Sequence, residues 1–541
     1  MTTELAKTRS INAPATDGPS RCPADGDASG GGRAGISATE PVQQCGPTMH
    51  RSNFLLYLAS SVAPRLAMFV VLFAMARIAT KEETGLFVLL IAAGEIFDSV
   101  LQYWCRTLFI RKQAAAGGPR PLQAGRLVIL TVAGLGLGLV GTVVAAAMIA
   151  PGHEAAFAVA LAAYLAAYGI QRTALQVLQA RHLHTAYCGV EILRGLLLPI
   201  GALAPVMAGA AVLPAAGLGL AASSAIAAVP VLWIGWRSLG RLRFSPAGYR
   251  DALTFGLPLI GTMLLTQLVG WGDRLVLNEI LGPASVAVYG LTFALARQPI
   301  ELLSGPLNAS TYPMLFRTSA VAGIEGAAAI VGAMIVTHVA LSGAAGLCIA
   351  LLAEPLAAAL LPPAYRPMAV SLMPALAASG VILALMSYTF DNLFAVANRN
   401  GLQLWSMVIA GGIGLPVTIG LIASFGLPAA GYAALVGAVI GLASVIALSR
   451  VFVVVPVPWA RLAHVVGAMG VAAMAMLTVD AALVAFNPWL RLVAAGLAFA
   501  AVYLPLLAVG GFRIQALVSA PWEVLGPPPA PATLATQGSA R

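Results

Sequence analysis

The sequence predicts an all-α, polytopic membrane protein of about 14 helices. These form two six-helix lobes around a central cleft, followed by a C-terminal helix pair. Composition, the recurrence of apolar windows and a weak internal repeat predict this together. The 541 residues are 60% hydrophobic and 9% charged, with a mean hydropathy of +0.90. A water-facing surface normally needs about a quarter of residues charged, so this surface faces something else. Apolar windows of about 20 residues recur from Phe54 to Val509, each long enough to cross a bilayer as a helix.

The chain begins differently. Met1–Pro47 is rich in Gly, Ala, Pro, Ser, Thr and Asp and holds no apolar run. It lacks a signal-peptide core and the apolar surface needed to fold alone. Residues 1–50 are expected to be a disordered cytoplasmic tail, and a chain starting at Met49 to insert and work normally. Spans are predicted at 54–76, 85–105, 127–150, 155–178, 187–208 and 212–234 in a first lobe, residues 51–236. Pro199, Pro205 and Pro214 make the fifth and sixth the least regular. The second lobe, residues 237–450, has spans at 253–281, 285–309, 328–352, 368–395, 402–424 and 429–449. Spans at 462–484 and 489–509 form the terminal pair within 451–511, and 512–541 is a second disordered tail ending in GPPPAPATLATQGSAR.

The loops alternate in charge. One set carries Arg106, Arg111, Lys112, Arg120, Arg126, Arg181, Arg237, Arg241, Arg243, Arg250, Arg317, Arg399, Arg450 and Arg461. The opposite set, including TKEETG, PGHE, LGPAS and FGLPAA, is short and poor in positive charge. The positive-inside rule places the first set and both termini in the cytoplasm. The expected location is a bacterial inner membrane.

Sliding the chain on itself by 202 residues sets TGLFVLLIAAGEIFDS (84–99) on VAVYGLTFALARQPIE (286–301), with Phe87 on Tyr289. The identity is weak, but the order of spans and loops matches too. Because each lobe has an even number of spans, the two are expected to share one orientation about an axis along the membrane normal.

Charged residues inside spans cost about 2.5–3.5 kcal/mol each on insertion scales, so they need a reason. Arg65, Glu95 and Arg297 fall near the midplane, and Asp273 and Arg274 nearer the outer face. Helical spacing groups Glu95, Ser99, Gln102 and Arg106, with Asp98 beside them. It also groups Arg297, Glu301, Ser304 and Asn308; Gln267, Arg274 and Asn278; and Thr262, Thr266 and Asp273. Ser387 pairs with Asp391, and Tyr388 with Asn392. Neighbours in a helix point about 100° apart, so Asp273 and Arg274 are expected to seek separate partners. Two readings stand for them: a structural ion pair holding the bundle, or part of a wet cleft lined by spans 1, 2, 7 and 8.

The residue inventory narrows the function. A net charge of +10 suggests basic loops against anionic lipid heads, not nucleic acid. Five scattered cysteines and six dispersed histidines offer no disulfide framework or metal site. The phosphate-binding pattern G-x-x-x-x-G-K-[ST] does not occur, so the chain carries no ATPase of that kind. A membrane glycosyltransferase, polymerase or ligase needs catalytic groups on sizeable outer loops. These outer loops are small, so an enzyme is not expected.

The stretch GLPLIGTMLLTQLVGWGDRLVLNEILGPASVAVYGLTFAL (256–295) resembles polysaccharide-biosynthesis flippases of the multidrug/oligosaccharidyl-lipid/polysaccharide (MOP) exporter superfamily. STYPMLF, AYRPMAVSLMPAL, FAVANRN and FGLPAAGYAALVG support the likeness, which spans roughly residues 50–510. It implies two lobes that rock between inward- and outward-open states. It also implies an undecaprenyl-diphosphate-linked oligosaccharide as cargo, moved to the periplasmic leaflet, with a polysaccharide polymerase and glycosyltransferases as partners. By motif, only Asp273 and Arg274 carry over. Physical chemistry adds Arg65, Arg274 and Arg297 as head-group contacts, because guanidinium groups fork onto phosphate. Asp273, Glu95, Asp98, Glu301 and Asp391 could take H⁺ or Na⁺, and no other cofactor is expected. Trp271, Tyr289 and Tyr388 are candidates for stacking on sugars, although an aromatic in a span commonly serves packing.

Two rivals come from the same superfamily. A cation-coupled multidrug exporter typically has 12 spans and an acidic cavity. A lipid II flippase has 14 spans and a cationic one. A purely structural or signalling protein would not need the polar stripes.

Overall fold

A computed structural model describes residues 51–114, 121–181, 183–239, 243 and 249–513. The two predicted disordered tails lie outside the described residues, except 512 and 513. Helices dominate, and no strand occurs among the described residues. Twelve helices there are long and apolar enough to cross a membrane. Helices also occupy the two remaining predicted positions, so each of the 14 predicted spans is helical.

The N-terminal half contains α1 (Arg51–Ile78), α2 (Lys81–Leu101), α3 (Tyr103–Ala114), α4 (Pro121–Ile149), α5 (Glu154–Ala180), α6 (His184–Met207) and α7 (Val212–Leu239). α5 packs on α7, α6 on α1 and α7, and α2 on α5. Thr80 starts α2 with a capping box: its hydroxyl accepts from the Glu83 amide, and the Glu83 carboxylate accepts from Thr80. Pro199 and Pro205 are carried inside α6. Pro214 falls in the first turn of α7, where no helical N–H is needed.

The second predicted span differs from expectation. The helix breaks at Gln102, whose side chain donates to the Thr131 carbonyl, and α3 then continues. Eight residues span about 12 Å on a straight helix. The break lets Arg106 reach back to grip Asp98 with two hydrogen bonds, at 2.9 and 2.6 Å.

The C-terminal half contains α8 (Tyr249–Leu281) and α9 (Pro283–His338), which bends sharply at Gly323. A φ of +70° there favours glycine. α10 (Ala344–Leu351), α11 (Ala353–Leu360), α12 (Arg366–Leu385), α13 (Asp391–Val396), α14 (Asn400–Phe425) and α15 (Pro428–Ser449) follow. Single π-helical turns, Val339–Gly343 and Met386–Phe390, interrupt two spans. The terminal pair, α16 (Trp459–Ala482) and α17 (Pro488–Val509), forms its own apolar cluster against α10 and α11.

The halves meet along α2, α8 and α9. Gly85 lies so close to the Pro283 carbonyl that a Cβ would overlap it. Phe87 and Tyr289, aligned by the repeat, are both fully buried in the shared core. Gln267 on α8 donates to the Glu95 carbonyl and the Ser99 hydroxyl on α2, at 3.0 and 2.9 Å. Asn278 donates to the Ile149 carbonyl at 2.9 Å.

Candidate functional site

A cavity of about 560 Å³ opens beside that seam. Helix α1 contributes Ser60, Pro64, Arg65 and Met68; α2 contributes Ile91 and Glu95. From α5 come Tyr164, Tyr168, Arg172 and Gln179, spaced by four, four and seven residues, which is one helical face. Tyr187, Glu191 and Arg194, spaced by four and three, line it from α6. The C-terminal half adds Trp271, Gln298 and Glu301. Gln179 and Tyr187 flank the α5–α6 turn, so the cavity extends toward the face bearing Arg181. Three arginines and three glutamates share this lining, so its charges balance.

Tyr168 organises the interior. Its hydroxyl donates to Glu95 Oε1 at 3.0 Å, and its ring stacks on Tyr164 with centroids 5.2 Å apart. The Arg194 guanidinium lies 4.7 Å from the Tyr168 ring centre and that of Arg172 5.3 Å. Glu191 and Arg194 sit 3.7 Å apart with side chains 8% exposed. Glu191 Oε1 and Arg194 Nε have no hydrogen-bond partner among the described residues. A buried guanidinium with its Nε–H unused suits an arriving anion.

Of the residues singled out in the sequence, Arg65, Glu95, Glu301 and Trp271 line this cavity. The others lie elsewhere. Asp273 and Arg274 pair with each other, against the expectation of separate partners. Arg274 Nη1 lies 2.9 Å from Asp273 Oδ1, which also accepts from the Arg274 amide at 2.8 Å. Arginine is long enough to fold back over its own turn, where it also donates to the Gly270 carbonyl at 3.2 Å. Arg274 is 2% exposed, and its guanidinium is boxed by Phe293 at 4.0 Å, Trp271 at 4.4 Å and Tyr289 at 5.6 Å. Such stacking partly replaces the water a cation loses on burial. Tyr289 is fully buried with its hydroxyl on Asp273, so it offers no face to a sugar. Arg297 stacks on the same Phe293 ring at 4.4 Å and lies 3.7 Å from Glu301.

Asp98 is 1% exposed and held by Arg106, which leaves no open carboxylate oxygen for an ion. Tyr388 stacks beside His338, centroids 6.1 Å apart, in the π-helical turn of the C-terminal half. Asp391 follows that turn at the start of α13, outside the cavity lining, with Oδ1 unpartnered. No group of three or more His, Cys, Asp or Glu able to hold a metal ion occurs among the described residues. Arg172, Glu191, Arg194, Tyr164 and Tyr168 escaped the sequence reading, which weighed only spans 1, 2, 7, 8 and 10. Their four- and three-residue spacings were the available signal.

Residues 51–319, about half of the chain, match the family described as Polysaccharide biosynthesis protein. The chain belongs to that family. Its MOP-superfamily fold is that of a multi-pass flippase or transporter, and the family and its structural neighbours are not enzymes. One relative is the Amylovoran biosynthesis protein AmsL of Erwinia amylovora, 27% identical over 99 residues. That match covers 18% of this chain and spans about a quarter (25%) of AmsL. Among solved structures, lipid II flippase MurJ in an inward closed conformation aligns with a TM-score of 0.64 at 11% identity. It covers 84% of this chain and 98% of MurJ. A point mutant of the Vibrio cholerae MATE transporter VcmN aligns at 0.52 and 14% identity, covering 74% of this chain and 95% of VcmN. At these identities both likenesses concern the fold alone.

Proposed function

We propose that this family member moves a polyprenyl-diphosphate-linked oligosaccharide from the cytoplasmic to the periplasmic leaflet of a bacterial inner membrane by alternating access. The observation that carries the reading is the cavity beside the seam, where the N-terminal half of an otherwise apolar chain gathers Arg65, Arg172 and Arg194 with Tyr164, Tyr168 and Tyr187. A diphosphate and its sugar hydroxyls cannot cross hydrocarbon unaided, because each unsatisfied polar group costs several kcal/mol there. Guanidinium forks meet phosphate oxygens, and tyrosine and Trp271 rings offer amphipathic surfaces to sugars. The Arg181-bearing end of the cavity faces the cytoplasm under the positive-inside rule.

The balanced lining speaks against a cation exporter, which would gain from an acidic excess. Glu95 and Glu301, open to the cavity, are the candidates for coupling to H⁺ or Na⁺. Polysaccharide polymerase and glycosyltransferases are the expected neighbours in the pathway.

The test is a strain lacking the protein, complemented with Arg172→Ala or with the double variant Glu191→Gln, Arg194→Gln, which strands no buried charge. Lipid-linked glycan should accumulate on the cytoplasmic side while protein abundance holds. Normal surface polysaccharide from the double variant would refute the assignment. Rescue of cells depleted of their lipid II flippase would shift the cargo to lipid II.

A further inference from the structure

On the face opposite the Arg181-bearing end, the two halves are pinned together by cations that meet main-chain oxygens. Arg77, in the last turn of α1, donates through Nη1 to its own helix at the Phe73 carbonyl, 2.9 Å away. Through Nη2 it donates to the Leu360 carbonyl at 2.6 Å, where α11 ends. A helix C-terminus carries free carbonyls and partial negative charge, so this guanidinium caps α11 of the C-terminal half while anchored to α1 of the other. Lys81, four residues on, donates to the Ala364 carbonyl at 2.8 Å, with its ammonium 5.3 Å from the centre of the Tyr365 ring. Beneath these contacts, Val71, Met75, Phe87, Val286 and Leu361 belong to one buried apolar core, which continues to Ile91 at the cavity wall.

We propose that Arg77 and Lys81 form a latch that holds the α11–α12 turn of the C-terminal half against the α1–α2 turn and keeps the cavity shut on this face. The inference rests on the reading of the chain as an exporter whose cavity opens to each face in turn. To open here, the halves must part along this line, and both cations must exchange a carbonyl for water. Because the acceptors are main-chain atoms, the latch needs positive charge and reach on α1 and α2 but no particular side chain on the turn. It also accounts for Lys81, one of only three lysines in the chain, standing on the face otherwise poor in positive charge.

The reporter is Val71→Cys, placed in the fully buried core and titrated with a membrane-impermeant maleimide on right-side-out spheroplasts. Labelling is normalised to protein amount, with the chain carrying valine at 71 as blank. Arg77→Ala with Lys81→Ala should raise the labelling rate at least about tenfold, since both charged contacts across the seam are lost together. Arg77→Lys should stay near the parent rate. If the double variant fails to accumulate, Lys81→Ala alone, at a half-exposed site, should still show a smaller rise. Unchanged labelling in either alanine variant overturns the latch. Increased labelling in a protein that exports no glycan would leave the latch standing and remove only the assigned cargo.

Discussion

Tyr168 and Glu95 join α5 to α2 through a hydrogen bond of 3.0 Å inside the cavity, and two guanidinium groups approach the same tyrosine ring. The hydroxyl orients the carboxylate while the ring organises the cations. These two jobs separate by mutation. Tyr168→Phe keeps the ring and loses a bond contributing about 0.5–1.5 kcal/mol, so glycan export should fall about 2- to 10-fold at normal abundance. Tyr168→Ala should fall further. Export by both variants at the parent rate would remove Tyr168 from the site.

The Asp273–Arg274 pair invites a different outcome. Breaking a buried pair from one side costs about 3–5 kcal/mol, and both residues sit in the apolar seam. Either alanine variant should therefore be depleted from the membrane, whereas Asp273→Asn with Arg274→Gln together should recover abundance. Arg274→Lys should recover only partly, because an ammonium loses the flat stacking on Trp271 and Phe293. Normal abundance of Arg274→Ala with export abolished would make Arg274 a cargo contact instead.

At the seam, Gly85 has no room for a side chain against the Pro283 carbonyl. Overpacking of a close contact typically costs about 1–3 kcal/mol. Gly85→Val should lower the thermal unfolding temperature of detergent-solubilised protein, and Gly136→Val, with open space around it, should not. Equal behaviour of the two would mean that the α2–α9 approach is slack.

Orientation has a direct test. Ala284→Cys and Phe425→Cys, both at accessible positions, should react with an impermeant thiol reagent from the periplasm, and Arg243→Cys and Arg399→Cys should not. Periplasmic labelling at 243 would invert the protein.

The helices were legible because hydropathy and breakers report directly on what faces lipid. Arg65, Glu95, Glu301 and Trp271 were legible as cavity residues because a charge or indole at mid-depth needs a polar surrounding. The two-pronged grip of Arg106 on Asp98 was not legible because it crosses a helix break at Gln102 that regular periodicity does not contain. The π-helical turns at Val339–Gly343 and Met386–Phe390 are invisible for the same reason. The folding back of Arg274 onto Asp273 depends on a box of three aromatic side chains from two helices. No local pattern encodes that box.

Half of the cavity's charged residues, Arg172, Glu191 and Arg194, sit on α5 and α6, and these helices pack chiefly on α1, α4 and α7, away from α8 and α9 of the seam. Under the proposed function, cargo preference is therefore free to drift. Substitutions at 172, 187, 191 or 194 can retune which sugars and phosphates are welcome without renegotiating the surfaces that move. An exporter built this way would follow a changing glycan by altering one wall while keeping the same seam.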